Sequence, residues 1–238
     1  SNIENIRSLF NKSKVIFVES DSSDLTADLI KQYQDKNENI ELISHGNLRD
    51  TLPSRTDRIA YCRNSYLDIV EKYKDEYEYV LILDGDAASS ENISNESIIS
   101  NFEIEDWDMI TANQPEGYYD IWALRHEEWM PFDCWKEFSK YRTKESFDYF
   151  IKSRFVKINL SDNLIPVKSA FGGAGFIRIA SIKGARHVGH TDDGIKVCEW
   201  VPFCNLLNES KAKIFINPNF VNSTELSEHI KANMEMFS

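Results

Sequence analysis

Short apolar runs alternate with amphipathic stretches along the first third of the chain. Runs rich in β-branched and aromatic residues predict three buried strands, and apolar residues at helical spacing predict two helices between them. In chain order these are a strand at 14–19, a helix at 25–33, a strand at 40–44, a helix at 58–73 and a strand at 79–83. This alternation predicts an α/β fold with a mainly parallel central sheet flanked by helices.

The rest of the chain has a less regular pattern, without an internal repeat, a low-complexity tract or a linker. It predicts strands at 108–112, 177–180 and 213–216, and an extended segment at 118–125. It also predicts helices at 131–141, 145–155 and 201–207, a polar loop at 185–196 and a short helix after Asn222. A length of 238 residues is typical of a single domain.

Charge narrows the class of partner. The chain has 27 Lys and Arg against 39 Asp and Glu, a formal net charge of -12. Such a chain repels nucleic acid and anionic membrane surfaces, so neither is expected as a partner. A neutral substrate or ligand is favoured over a strongly anionic one for the same reason. No apolar run approaches the roughly 18 residues of a membrane span.

The cysteines bear on metal binding and on the compartment. The four cysteines form no CxxC pair, which argues against a structural zinc site. Cysteines this sparse favour reduced thiols and a cytoplasmic location. The chain is equally compatible with being one domain of a longer native protein.

The predicted strand at 79–83 ends abruptly at Asp84-Gly85-Asp86. Two carboxylates one residue apart at the end of a buried strand repel each other, and a divalent cation removes that cost. Carboxylate oxygens suit Mg²⁺ or Mn²⁺, which bind substrate phosphates as well. A plain Asp-Gly turn is the alternative, but the position directly after an apolar strand favours a metal and phosphate site.

An apolar strand that ends in DxD resembles the metal-binding signature of GT-A fold glycosyltransferases. Four further segments resemble parts of these enzymes in the same order: VESDSSDLT the nucleotide loop, RIAYCRN a helix whose Arg residues face the nucleotide, YYDIWALR the donor-sugar segment and FGGAGF the glycine loop. The ordered set covers about Lys14 to Asn219. It resembles the fungal capsule-associated mannosyltransferase-like family and related large-DNA-virus glycosyltransferases.

The resemblance implies one GT-A domain over 1–238, with a nucleotide-binding half at about 14–114, an acceptor and donor-sugar half at about 115–220 and a C-terminal tail at 221–238. It implies a Mn²⁺- or Mg²⁺-dependent glycosyltransferase that moves a sugar from a UDP- or GDP-sugar donor to a hydroxyl of a glycan acceptor. Asp86 is the first choice as metal ligand, followed by Asp84. The implied nucleotide contacts are Glu19, Ser20, Asp21, Arg58, Arg63, Asn64, Asp84 and Gly85.

Residues of the second half are candidates for the sugar and for proton transfer. Asp120 and Trp122 stand two apart on the predicted extended segment, so they share a face on which a carboxylate and a ring suit a sugar. Gly172 and Gly173 permit close approach of the backbone to donor or acceptor, with a β-bulge as the alternative. Glu199 is the candidate general base of an inverting mechanism; the alternative is a buried structural Glu that pairs with His or Arg.

The sequence departs from the family pattern at two places. Related proteins often carry His directly after the candidate base, where this chain has Trp200, and GT-A enzymes commonly use a late His as a metal ligand, for which His187, His190 and His229 are available. A retaining mechanism would not need Glu199 as base. Two other functions stay open: a nucleotidyltransferase that makes nucleotide-sugars, although its basic phosphate loop is replaced by an acidic one, and a non-catalytic glycan-binding module with a decayed site.

Overall fold

The computed structural model describes residues 2–85 and 92–235. Its helices are α1 (Asn2–Arg7), α2 (Thr26–Gln34), α3 (Arg55–Lys72), α4 (Asn95–Ile99), α5 (Cys134–Ser139), α6 (Lys144–Phe150), α7 (Ile179–Ile182), α8 (Trp200–Glu209) and α9 (Glu228–Glu235), with a 3-10 turn at Lys152–Arg154. Its strands are β1 (Val15–Glu19), β2 (Ile40–Ser44), β3 (Tyr79–Leu83), β4 (Met109–Asn113), β5 (Ile165–Pro166), β6 (Ala174–Arg178) and β7 (Ile214–Val221).

The strands form two sheets. β1 and β2 pair in parallel, from Val15 opposite Ile40 to Glu19 opposite Ser44. The larger sheet has the order β3-β6-β4-β7-β5. Among its described pairings, β6 runs antiparallel to both β3 and β4, β5 runs antiparallel to β7, and β4 pairs with β7 in parallel.

The fold is therefore mixed α/β, and the prediction of a mainly parallel central sheet is not confirmed. The strand β6 comes from the second half of the chain and lies between β3 and β4, antiparallel to both. Alternation of strands and helices along the chain predicts a parallel sheet only if successive strands lie side by side in that sheet. It cannot show that a distant strand is inserted between two of them.

Alternating residues of the five-stranded sheet supply two separate cores. Met109 and Ile177 belong to one hydrophobic cluster, whereas their neighbours Ile110 and Phe176 belong to the other. Successive side chains of a strand point to opposite faces of a sheet, so the two clusters lie on its two faces. Buried residues of α3 and α8 complete the first cluster, and buried residues of α1 and α4 complete the second.

Most predicted elements of the first third are confirmed, and β2 and β3 have the predicted bounds. The prediction of an extended segment at 118–125 is wrong, because residues 121–123 form a turn that starts at Asp120. The strand predicted at 177–180 begins earlier, at Ala174, and gives way to α7 at Ile179. A glycine inside the run, Gly175, concealed the beginning of this strand, since glycine is uncommon in strand interiors. Along the described ranges, no helix combines the length and the apolarity that a membrane crossing needs.

The loop at 185–197 is attached along α3. The Asn64 side chain donates to the His187 carbonyl and accepts from the His187 backbone N–H, both at 2.9 Å. Further along the helix, Arg186 pairs with Asp68 at 3.0 Å, and His190 pairs with Asp57. The loop thus connects α7 to α8 while it contacts α3 over much of its length.

We expect Gly189→Ala to detach part of this loop. A Cβ at position 189 would lie 2.5 Å from both the backbone nitrogen and Oδ1 of Asp57, far inside normal contact. Overpacking of this kind costs about 1–3 kcal/mol, to be measured as a lower urea midpoint. Gly85→Ala is the control, because no described atom lies within 4 Å of its added Cβ. Equal midpoints for the two variants would contradict the close packing of loop and helix.

Candidate active site

The site lies at one edge of the larger sheet. β3 and β4 both run antiparallel to β6, so their carboxyl ends meet the segment that precedes β6. The Asp84 backbone N–H, just past β3, donates to the Gly173 carbonyl at 2.9 Å. The Gln114 side chain, just past β4, donates to the Gly172 carbonyl at 2.7 Å. The glycine segment is therefore held between the ends of two strands.

Only glycine fits at position 172 without strain. Its φ is +69°, and a Cβ there would lie 2.8 Å from the Ala112 carbonyl oxygen. Only glycine combines this dihedral angle with such an approach at low cost. In this conformation its N–H donates to Asp120 Oδ2 at 3.0 Å. The glycine segment thereby fixes the carboxylate of Asp120 at the same sheet edge as Asp84.

Arg63 joins three segments at this edge. Its Nε donates to Glu199 Oε1 at 2.7 Å, and its Nη2 donates to Asp84 Oδ1 at 3.0 Å. The guanidinium carbon lies 4.8 Å from the Phe171 ring centroid and 4.7 Å from that of Trp200. Burial alone would lower the pKa of Arg63, but the charges of Asp84 and Glu199 outweigh it and raise the pKa well above its usual value. The side chain is a permanent cation between two carboxylates.

Asp120 is the third carboxyl group of the cluster. Burial raises its pKa from 3.8 to about 6, against the hydrogen bond from the Gly172 N–H, and the charges of Glu199 and Asp84 add to the increase. A carboxyl group that changes its charge near neutral pH can accept or release a proton under the conditions of many reactions. Asp84, Asp120 and Glu199 are thus close enough to influence one another electrostatically.

Glu199 precedes α8 and is 5% exposed. Glu199 forms an ion pair with Arg63. This contact agrees with the alternative to a general base, namely a buried structural Glu that pairs with Arg. Its role as general base stays a prediction. The Trp200 ring stacks on Phe171 at 4.2 Å between centroids and lies beside the guanidinium of Arg63. Trp200 therefore packs against the cation that holds Glu199.

The available histidines differ in their surroundings. His187 is 2% exposed, its ring stacks on Phe203 at 4.3 Å, and its Nδ1 lies 3.1 Å from the Glu199 carbonyl oxygen. Burial, together with the charge of Arg63, lowers the pKa of His187 well below its usual value, so the ring is neutral. His229, on α9, stacks on Tyr119 at 5.5 Å, one residue before Asp120. His187 thus lies against the backbone of Glu199, and His229 lies against the residue before Asp120.

The residues predicted to contact the nucleotide line the junction of β1 and α3. Arg58 pairs with Asp21 at 3.3 Å and donates to the Leu52 carbonyl at 2.8 Å. Ser20 Oγ accepts from Cys62 Sγ at 3.6 Å, one residue before Arg63. Glu19 accepts from Ser44, and Asn64 binds the loop backbone at His187 as described above. A role of these residues in nucleotide binding stays a prediction.

The expectation that Asp120 and Trp122 share a face as members of a strand is wrong. Because Asp120 starts a turn, its side chain turns back to the Gly172 N–H. Trp122 Nε1 instead donates at 3.1 Å to Asp133, which also receives Arg125 at 3.2 Å. The structure therefore brings Asp120 to the carboxyl cluster and directs Trp122 to the beginning of α5.

The metal predicted from Asp84-Gly85-Asp86 depends on a residue that the structure does not describe. Asp86, the first choice as ligand, lies outside the described residues, as part of 86–91. Asp84 is bonded to Arg63. Within 2–85 and 92–235, no group of three His, Cys, Asp or Glu side chains is arranged to hold a metal ion. The described residues alone therefore do not form a metal site, and Mn²⁺ or Mg²⁺ stays a prediction.

Two residues of the site were not predicted from the sequence. Gln114 and Asn222 both donate to the Gly172 carbonyl, at 2.7 and 2.9 Å, and they are buried. A signal existed for the first of them: Asn113 and Gln114 are consecutive amides at the end of an apolar run. Polar residues at that place are costly to bury unless they have partners there.

Comparisons with known proteins identify no family. No family model matches the sequence, and a search of curated proteins finds no match. Among solved structures, the crystal structure of A197 from STIV is similar, with 17% sequence identity, a TM-score of 0.41, and coverage of 86% of this chain and 81% of that chain. A similarity of this size carries no conclusion about function.

Proposed function

We propose that this protein is a GT-A-type glycosyltransferase that moves a sugar from a nucleotide-diphosphate donor, a UDP- or GDP-sugar, to a hydroxyl of a glycan acceptor. The observation that carries the proposal is the convergence of Asp84, Asp120 and Glu199 on one sheet edge, around Arg63 and beside the buried glycine segment. These residues come from four distant segments, and keeping three carboxyl groups together costs stability. Such a cluster is typical of a site that handles protons and polar ligands.

Each side chain has a task in this proposal. Asp120 and Glu199 are the two candidates to accept the proton of the attacking hydroxyl. Arg63 fixes the positions of Asp84 and Glu199, because it is bonded to both. Asp120 can also accept hydrogen bonds from sugar hydroxyl groups, and the Gly172 N–H holds its carboxylate in place. Mn²⁺ or Mg²⁺ on Asp84 and Asp86 belongs to the proposal as well.

Thermal melting with UDP and GDP, each with Mn²⁺ and with EDTA, tests the donor site. A nucleotide at about 100 times its Kd stabilises the fold by ~2.7 kcal/mol, a shift of several degrees. We expect a Mn²⁺-dependent shift with one nucleotide, its loss in Asp86→Ala and Asp84→Ala, and its retention in Asp75→Ala, which removes an exposed carboxylate elsewhere.

Other outcomes would identify the competing functions. The absence of a shift with either nucleotide would reject the transferase and favour a glycan-binding module. Release of pyrophosphate from a nucleoside triphosphate and a sugar phosphate would instead identify a nucleotidyltransferase. Unchanged nucleotide-sugar turnover in Asp86→Ala would reject the proposed metal site.

A further inference from the structure

A basic and aromatic surface lies on α5 and α6, on a chain that is acidic as a whole. We call it the α5–α6 surface and define it by Lys140, Tyr141, Arg142, Tyr149 and Arg154. Between positions 136 and 157 the chain has seven Lys or Arg against three Asp or Glu, whereas the whole chain has 27 against 39. The net charge of this segment is thus positive, opposite in sign to that of the whole chain.

The two tyrosines of the surface are largely exposed. Tyr141 is 61% exposed and Tyr149 is 60% exposed. The Tyr141 ring is nearly parallel to Phe150, at 6.1 Å and 9°, and the Tyr149 ring stands across Phe150 at 4.9 Å and 84°. Phe150 therefore contacts both rings, while more than half of each tyrosine stays accessible to solvent. Rings fixed in this way offer an apolar contact area with little loss of side-chain freedom on binding.

The cations of this segment differ in their partners. The Arg154 guanidinium carbon lies 5.1 Å from the Tyr149 ring centroid. Lys140 is bonded to Glu137 at 2.6 Å, and Lys144 to Asp148 at 2.7 Å. Arg142 is exposed beside Tyr141, and its side chain has no ion-pair partner within the described part of the chain. Part of the positive charge is therefore neutralised locally, and Arg142 is placed to bind an external carboxylate.

The helix α5 links the surface to the segment that follows Asp120. The Asp133 side chain caps the beginning of α5 and binds Trp122 and Arg125, which follow Asp120. The helix has six residues, so Tyr141 lies just beyond its other end, roughly 9 Å along the axis.

We propose that the α5–α6 surface binds an acidic polysaccharide, with sugar rings on Tyr141 and Tyr149 and a sugar carboxylate at Arg142. A pyranose ring has an apolar C–H face that suits an exposed aromatic ring, and a uronic acid adds one carboxylate per residue. Single-stranded nucleic acid shares the need for rings and cations and, like a polyuronate, carries one charge per unit. A glycan is chosen over it because the proposed function gives the protein a glycan acceptor.

This inference rests on the proposed function for the choice of a glycan, and it changes the expectation for the acceptor. The net charge of the chain favours a neutral acceptor, whereas the local charge of the α5–α6 surface favours an anionic one. The local charge determines which acceptor is preferred, because salt screens electrostatic interactions beyond about 8–10 Å under physiological conditions.

Calorimetric titration with polygalacturonate oligomers, without nucleotide or metal, tests this proposal. We expect binding that weakens with added salt and that is absent for neutral dextran. Tyr141→Ala and Tyr149→Ala should each weaken binding about fivefold to tenfold. Arg142→Gly should weaken it about threefold without lowering Tm, because Arg142 has a φ of +55° that glycine adopts readily. Lys211→Gly, at a φ of +59° outside this surface, is the matched control.

Three outcomes would overturn the proposal: no binding of polygalacturonate, equal binding by the wild type and the Tyr141→Ala variant, or tighter binding of oligothymidylate that depends on the same residues. Failure of this proposal and failure of the proposed function are distinguishable. Nucleotide-induced melting shifts do not involve Tyr141 or Tyr149, so they would persist if only the α5–α6 surface had been misassigned. Polygalacturonate binding without any nucleotide shift would support the surface and reject the transferase.

Discussion

Replacing Arg63 with methionine is expected to destabilise the protein by about 3–5 kcal/mol, the usual cost of removing one partner from a buried ion pair. Methionine keeps apolar contact with Phe171 and Trp200 but removes the cation between Asp84 and Glu199. The Glu199 side chain is only 7% exposed, so its charge would be left without compensation. The measurement is urea unfolding, in which the midpoint falls while the slope stays constant.

Two further variants test this explanation. Arg63→Met combined with Glu199→Gln should recover much of the lost stability, because the uncompensated charge is removed. Arg186→Met breaks the pair with Asp68, in which the arginine side chain is 42% exposed, and should change stability by less than about 1 kcal/mol. If Arg63→Met were as mild as Arg186→Met, the buried ion pairs would not hold the site together.

Asp120→Asn is expected to stabilise the fold at neutral pH and to reduce the transferase rate about a hundredfold or more, as for loss of a group that transfers protons. Asparagine can still accept the hydrogen bond from the Gly172 N–H but carries no charge. Since burial raises the pKa of Asp120 from 3.8 to about 6, the ionised carboxylate destabilises the folded state. Above the raised pKa the variant should be more stable by about 3 kcal/mol.

The stability gained by Asp120→Asn should increase with pH. A raised pKa means that the folded state holds the Asp120 proton more tightly than the unfolded state does. The resulting stability is complete below 3.8 and is lost as the pH rises through about 6. The Tm advantage of Asp120→Asn should therefore disappear towards pH 4 and be complete by about pH 7. Asp75→Asn serves as the exposed control. A constant advantage across this range, or an unchanged rate, would contradict the role of Asp120.

Local patterns predicted the elements well because β-branched and apolar runs determine them. The bounds of β2 and β3 were predicted correctly, and so was a break in structure at Asp84. The arrangement of the sheet was not predictable in this way, since the position of β6 between β3 and β4 depends on packing of distant segments.

The site shows the same division. The sequence predicted Asp84, Asp120, Gly172 and Glu199 as site residues, and the structure brings them together. The sequence analysis, however, assigned Asp120 to a strand face shared with Trp122. A turn at 121–123 separates the two side chains, and no periodicity in YYDIWALR revealed it. The central position of Arg63 also escaped prediction, because a helix sequence does not indicate which carboxylates from other segments reach its buried side.

The small sheet of β1 and β2 has a consequence for how tightly any ligand can be held. The five residues of β1 are all only half-buried, and α2 contains no buried residue among those described. Such a unit opens at a lower free energy than the five-stranded sheet, so its amide hydrogens exchange sooner. A ligand gripped by the loop after β1 must bind the closed form and suppress that opening. Part of the binding free energy of the ligand is used to keep the β1–β2 unit closed, which lowers the observed affinity. The ligand is therefore released quickly even when its recognition is selective.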